Sequence, residues 1–408
     1  MMESAERNGR KISLERAEEL KAHYKELSYI PKGTDASSIE LYEKQKEKLL
    51  SLLEGDERDW NDWQWQVNHR IDNVDDLAKI LRLSEEEKEE IRKCGEMNRF
   101  AITPYYLALI DPEDKMDPIR RLCVPDSLEL NSKGEDDPMG EEFTNPAGVI
   151  TRRYPDRLIM NVTNACAMFC RHCQRRRRIG GSDQDASRQQ LEESFEYIRN
   201  NPEVREVLVT GGDALMLTDE QLEYIFSSLR SIPSVEVIRI GSRVLVTLPM
   251  RINEPFLEML EKYHPIFLNT HFNHPREVTP QARQACIKLS KAGVPLGNQM
   301  VLLRGVNDDK HIVHLLNREL LKARVRPYYI FHAKNVAGTT HLGVSIDEGL
   351  SIMEYLRGRA SGLMIPTYTV NAPGGLGKIP MLPEYVVEKT PEKVVFRTWE
   401  GKLVEYPI

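Results

Sequence analysis

Cys166, Cys170 and Cys173 stand at C-x3-C-x2-C spacing, in the run N-A-C-A-M-F-C-R-H-C-Q. Three thiolates so close in sequence can face one cuboidal iron–sulfur cluster, each binding a different iron and leaving the fourth iron open. An open iron can take a small molecule by its amine and carboxylate, which a four-cysteine electron-transfer cluster cannot do. A zinc knuckle or three ordinary core cysteines are the competing readings. Zinc would want a fourth Cys or His at short spacing. His172, lodged between two of the cysteines, is badly placed to bind the same ion. The spacing favours a cluster.

Two glycine-rich segments also carry candidate chemistry. Gly211-Gly212-Asp213 follows a short apolar run; its glycines would let backbone approach a ligand and its aspartate could accept from an ammonium. Alone, that tripeptide is a common turn. Lys378 ends the run N-A-P-G-G-L-G-K, which begins at Asn371. A lysine after such a loop could bind a phosphate, but Ile379 follows it, so the nucleotide-binding pattern G-x-x-x-x-G-K-S/T is not met. The other reading is a Schiff base to pyridoxal phosphate. The arginine run 175–178, preceded by Arg171, reads as a solvated basic face, a nucleic-acid patch, or a site where small anions converge.

These residues need a scaffold, and the chain supplies an alternating one. Short apolar strands are expected at 158–162, 206–210, 236–240, 265–269, 299–303 and 327–331. Helices are expected between and after them near 188–200, 218–230, 254–263, 280–292, 308–322 and 346–358. Thr218 with Gln221 and Ser345 with Glu348 fit capping boxes, and Thr279 precedes Pro280 at a first helical position. Such alternation means parallel β/α units with functional groups at the C-terminal ends of the strands. Residues 1–110 read as charged helices, including 14–27 and 39–53, with Trp60, Trp63 and Trp65 as packing anchors. That arm has little core of its own and must pack on the rest of the chain or on another subunit. Residues 126–148, rich in Asp, Glu, Gly and Pro, read as a connector.

Composition bounds the remaining classes. The 408 residues are 40% hydrophobic and 29% charged, without an apolar run long enough to span a membrane. The amino-terminal residues lack the pattern of a signal peptide. Six cysteines, three of them clustered, do not form a disulfide framework, so a reducing cytoplasm is expected. A net charge of −7 weighs against nucleic acid.

The cysteine spacing resembles that of the radical S-adenosylmethionine enzymes. Together with C-x3-C-R-H-C, R-Y-P-D-R at 153–157, R-P-Y-Y-I at 326–330 and A-P-G-G-x-G-K, the chain resembles the lysine 2,3-aminomutase family over residues 60–385. The resemblance implies an α/β fold, a partial (β/α)6 barrel over 151–345. A helical arm and connector would span 1–150, and a segment binding pyridoxal 5′-phosphate would close the molecule over 346–408. It implies a 4Fe-4S cluster on the three cysteines and S-adenosyl-L-methionine held by Gly211, Gly212, Asp213, His271 and Gln299. Lys378 would be the Schiff-base lysine, Arg153 and Arg157 would lie near the cofactor phosphate, and Arg175 would meet the substrate α-carboxylate. An electron donor such as flavodoxin or ferredoxin and a homo-oligomer are implied as well.

Within that resemblance, the positions that are aspartates around the substrate ammonium in lysine enzymes are Lys334 and Asn371 here. A lysine substrate would set ammonium against ammonium, a clash of several kcal/mol in a desolvated site. A side-chain carboxylate would gain a charge pair and a donor. The expected reaction is therefore amino migration between L-glutamate and β-glutamate, with lysine as the alternative substrate. A non-catalytic iron–sulfur redox or regulatory protein is the alternative from another class. Asp309 replaces a zinc-ligand cysteine of the lysine enzymes, and the chain reaches Ile408 without their further cysteines, so no zinc is expected.

Overall fold

The computed structural model describes residues 2–408. Met1, where the stretch read for a targeting signal begins, lies outside them. Nine strands form one sheet in strict sequence order. They are β1 (Ile150–Arg152), β2 (Arg157–Thr163), β3 (Glu206–Gly211), β4 (Val237–Gly241), β5 (Ile266–Thr270), β6 (Leu296–Leu302), β7 (Val325–His332), β8 (Thr367–Asn371) and β9 (Lys378–Met381). Strands β2 to β8 run parallel, while β1 and β9 add antiparallel edges. Because the order never reverses, the sheet is wound in one direction and its crossover helices gather on one face.

The strand pleat sorts side chains between two environments. Ile159 and Asn161 of β2, Leu208 and Thr210 of β3, and Tyr329 and Phe331 of β7 face a central cavity. Their alternating neighbours Leu158, Met160, Val207, Val209 and Ile330 are buried beneath the helices. Six β/α units match the expected partial barrel, with helices Arg188–Arg199, Asp219–Arg230, Glu254–Glu261, Pro280–Lys291, Lys310–Lys322 and Ile346–Leu356. Both capping boxes form, and Thr279 caps its helix through the Ala282 amide. Strand β8 is a seventh parallel strand, and β9 returns beside it around the glycine loop. Strands β10 (Val386–Lys389), β11 (Lys393–Arg397) and β12 (Leu403–Pro407) form a separate antiparallel sheet.

The arm packs on the barrel. Tyr42, Leu49, Trp60, Ile71 and Leu77 belong to the same buried cluster as the barrel core. The Trp60 indole donates to the Tyr42 hydroxyl at 2.8 Å. The first helix, Met2–Lys21, stops short of the expected 27. Leu27 and Ile30 instead tuck against Leu315, and Pro31 and Gly33 then prevent the helix from resuming. No described helix is long and apolar enough to cross a membrane.

Candidate active site

A cavity of about 1080 Å³ opens at the C-terminal ends of the parallel strands, and all fourteen residues singled out from the sequence line it. Eight cationic side chains and only four carboxylates share its wall, so the space is built for anions.

The cysteine loop leaves β2 and is folded by Asn164. Its amide nitrogen donates to the carbonyls of Ile179 and Ser182 at 3.2 and 3.1 Å, while its oxygen accepts from the Gln184 amide at 2.6 Å. Burial pushes the Cys166 and Cys173 thiols up, so as thiolates they need a positive partner. Arg243 donates to the Cys170 sulfur at 2.6 Å, and the Arg175 amide to the Cys173 sulfur at 3.3 Å. Among the described residues no group of three His, Cys, Asp or Glu converges on a single metal ion. Cys166, Cys170 and Cys173 all line the one cavity, and an all-sulfur set of three suits an iron–sulfur cluster. His172 keeps a buried, unpartnered Nδ1, and burial holds its ring neutral.

Gly211 and Gly212 bind β3 to this loop. The Gly212 amide donates to the Thr163 carbonyl at 2.6 Å, and a Cβ at Gly212 would lie 2.4 Å from the Ala165 carbonyl oxygen. Gly211 has φ +139°, and a Cβ there would lie 2.2 Å from the Thr163 oxygen. Asp213 is more committed than its sequence suggested. One oxygen accepts from the Leu215 amide at 3.1 Å and the other from the Arg243 amide at 2.6 Å, so backbone already claims both. His271 Nδ1 lies 3.0 Å from the Gln299 carbonyl oxygen, which can only accept; the proton therefore sits on Nδ1. Burial brings this imidazole down to about 4, leaving Nε2 as a neutral acceptor.

At the opposite end, Lys378 opens β9, directly paired with Asn371 of β8. Its ammonium stands over the rings of Tyr154 and Tyr329, at 5.5 and 5.7 Å. The surrounding protein, then Arg239, Arg157 and Arg153, bring it down to about 8. A recess of about 90 Å³ joins those three arginines to Lys378, Gly375 and Gly377. Nε of Arg153 and Nε of Arg239 are buried without hydrogen-bond partners. Unpaired guanidinium donors around a small recess are the donor set a phosphate group would satisfy. Gly375, at φ +75°, would set a Cβ 2.9 Å from Arg153 Nε.

Arg175 is held by a carboxylate that the sequence reading passed over. Glu141, 2% exposed, accepts from Arg175 Nε at 3.0 and 3.1 Å, and its ion contacts reach Arg153, Arg178 and Arg177 at 3.5, 3.8 and 3.9 Å. The arginine run therefore does not act as one patch. Arg175 and Arg178 line the cavity. Arg171 and Arg176 are buried on Glu129, and Arg177 pairs with Asp137. Both hub carboxylates come from the segment read only as a connector; an acidic segment and a basic run in one chain were the available signal. Lys334 also faces the cavity, its ammonium donating to the Gln174 amide oxygen. Burial, then Arg175, bring it down to about 7, while Asn371 Nδ2 is buried without a partner. Arg239, Arg243 and Gln174 were likewise absent from the sequence-based set.

An open parallel β/α sheet with a three-cysteine loop after its first parallel strand defines a radical S-adenosylmethionine enzyme, and residues 160–316 match that superfamily. Residues 353–408 match the family described as Lysine-2,3-aminomutase. The glutamate 2,3-aminomutase of Clostridioides difficile (strain 630) is 56% identical over 400 residues, spanning 97% of this chain and 94% of that protein. The L-lysine 2,3-aminomutase of Clostridium subterminale is 50% identical, over 85% of this chain and 84% of that one. Among solved structures, a radical SAM methyltransferase from Sphaerobacter thermophilus aligns with 56% of this chain and 72% of that chain at TM-score 0.38 and 15% identity. The chain belongs to the 2,3-aminomutase family and is an isomerase. Membership in the superfamily implies a 4Fe-4S cluster and S-adenosylmethionine.

Proposed function

We propose that this chain moves the amino group of L-glutamate from the α- to the β-carbon, giving β-glutamate. The observation that carries the reading is the far wall of the cavity, where a half-buried ammonium, Lys334, and an unpartnered amide donor, Asn371, replace any carboxylate. A glutamate side chain would pair with both. A lysine ammonium there would drive Lys334 to its neutral form or repel it, a penalty of several kcal/mol. The name of the Clostridioides difficile relative supports the same choice.

In this reading Cys166, Cys170 and Cys173 hold the cluster, and Gly211, Gly212, Asp213, His271 and Gln299 surround S-adenosylmethionine. Lys378 is the covalent anchor of pyridoxal 5′-phosphate within the 346–408 segment, and Arg153 and Arg157, joined by Arg239, take its phosphate. When bound, these groups supply the carbon radical that removes and returns hydrogen and the conjugated system that lets nitrogen migrate. The chain's own task is positioning. Arg175, oriented by Glu141, takes the α-carboxylate; Lys334 and Asn371 take the other end; apolar walls such as Phe331 and Val301 keep water from the reacting carbons. Lys378, brought down to about 8, is deprotonated in an appreciable fraction near neutral pH, as a nucleophilic amine must be.

We place the enzyme in a low-oxygen cytoplasm with a small reductant of the flavodoxin or ferredoxin kind, assembled as a homo-oligomer. No zinc is proposed: Asp309 caps the helix Lys310–Lys322 through the His311 amide at 2.6 Å. The test is anaerobic incubation of the reconstituted protein with carbon-13-labelled glutamate and lysine, read by NMR. β-Glutamate is the expected product; preferential rearrangement of lysine overturns the substrate, and absence of pyridoxal absorbance with no turnover favours a non-catalytic iron–sulfur protein.

A further inference from the structure

Gln174 sits between Cys173 and Arg175, and nothing in the reading above uses it. Its side chain lines the cavity, and its amide oxygen accepts from the Lys334 ammonium. An ammonium only donates, so the oxygen must face Lys334, and the two N–H bonds of Gln174 turn away from it. On the same wall, Asn371 Nδ2 is buried with no partner, and Lys334 keeps two further N–H bonds. The loop bearing Lys334 is tied to the 126–148 segment: the Glu135 amide donates to the Asn335 carbonyl at 3.0 Å, and the Ala337 amide to the Glu135 carbonyl at 3.1 Å.

We propose that Gln174 is a specificity-determining residue that aims Lys334 and, with its own amide nitrogen, completes a donor-only receptacle for the substrate's side-chain carboxylate. The inference rests on the glutamate reading. A carboxylate offers about four lone-pair sites and can satisfy Lys334, Asn371 and Gln174 together. A terminal amide offers one acceptor and brings two donors, leaving some of these groups unpaired. An ammonium offers no acceptor at all. The receptacle therefore separates glutamate from glutamine as well as from lysine. Arg175, the next residue along, is the candidate partner of the α-carboxylate. Two adjacent residues, one chain step of 3.8 Å apart, would then serve opposite ends of the substrate, Gln174 both directly and by aiming Lys334. A shorter or longer diacid would satisfy one end only.

The test measures glutamate and glutamine affinities by equilibrium dialysis on the reconstituted holoenzyme, with KM and kcat for glutamate alongside. Gln174→Met, which keeps length and removes hydrogen bonding, should weaken glutamate about tenfold. It should also shrink the preference for glutamate over glutamine by a similar factor, the loss falling on KM more than on kcat. In a Lys334→Met background the same change should have a smaller further effect, because the aiming contact is already gone and only the direct amide donor is left to lose. Unchanged affinity and preference in Gln174→Met would overturn the inference. If Lys334→Met itself leaves glutamate binding intact, the substrate reading fails. If Lys334→Met weakens it and Gln174→Met does not, only the role of Gln174 fails. Should Gln174→Met not retain iron, Gln174→Glu serves instead: its carboxylate would occupy Lys334 and turn the preference toward glutamine, and an unaltered preference would again overturn the inference.

Discussion

Glu141→Gln isolates the carboxylate that binds the arginine heads together. Burial alone would raise this acid, but Arg175 first, then Arg178 and Arg153, bring it from 4.5 down to about 2. The residue is 2% exposed, so solvent screening does not discount the effect. A depression of that size corresponds to about 3 kcal/mol at neutral pH, in line with the roughly 3–5 kcal/mol cost of breaking a buried pair. The sign follows from the direction of the shift. A depressed carboxyl stabilises the fold above its unfolded value of 4.5, and that contribution disappears as pH falls towards about 2. Urea denaturation of the cofactor-free protein should therefore show Glu141→Gln about 3 kcal/mol less stable at pH 7, with the gap closing below pH 4.5. The released guanidinium groups of Arg175 and Arg178 should also bind inorganic phosphate more tightly than the parent does. A deficit under about 1 kcal/mol at pH 7, or a gap that persists unchanged at pH 3, would refute the hub.

Other outcomes follow from the same geometry. Burial first, then Arg175, with Lys378 and Arg153 adding to it and Glu141 opposing, bring the Lys334 ammonium down to about 7 in the empty site. KM for glutamate should climb as pH rises through that value and flatten in Lys334→Arg; a flat profile in the parent removes the ammonium from recognition. Gly212→Ala forces a Cβ to 2.4 Å from the Ala165 carbonyl, so S-adenosylmethionine binding to the iron-loaded protein should fall more than tenfold, and parental binding would contradict this. Lys378→Ala should lose both turnover and the visible absorbance of bound pyridoxal phosphate, and survival of either would count against its role as anchor. The double change Lys334→Asp with Asn371→Asp should turn preference towards lysine, with competition NMR as the readout.

The sequence by itself determined whatever depends on neighbours a few residues apart. Thiol spacing in the cysteine loop, the capping boxes at Thr218 and Ser345, and the alternation of apolar strands with amphipathic helices are all local relations, and they located six β/α units and the three cysteines, while the family resemblance of short motifs pointed to most of the other cavity residues. Strand β8 escaped because T-Y-T-V-N is brief and abuts a glycine loop, so only its pairing with β7 and β9 makes it a strand. Tertiary structure alone decided which charges meet. Glu129 and Glu141 lie dozens of residues from the arginines they hold, and Arg243 is 73 residues from Cys170. Arg171 and Arg175 look alike in sequence, yet one is buried on Glu129 while the other faces the cavity. Coulomb pairing depends on distance in space and on burial, and neither quantity is written in the spacing of residues along a chain.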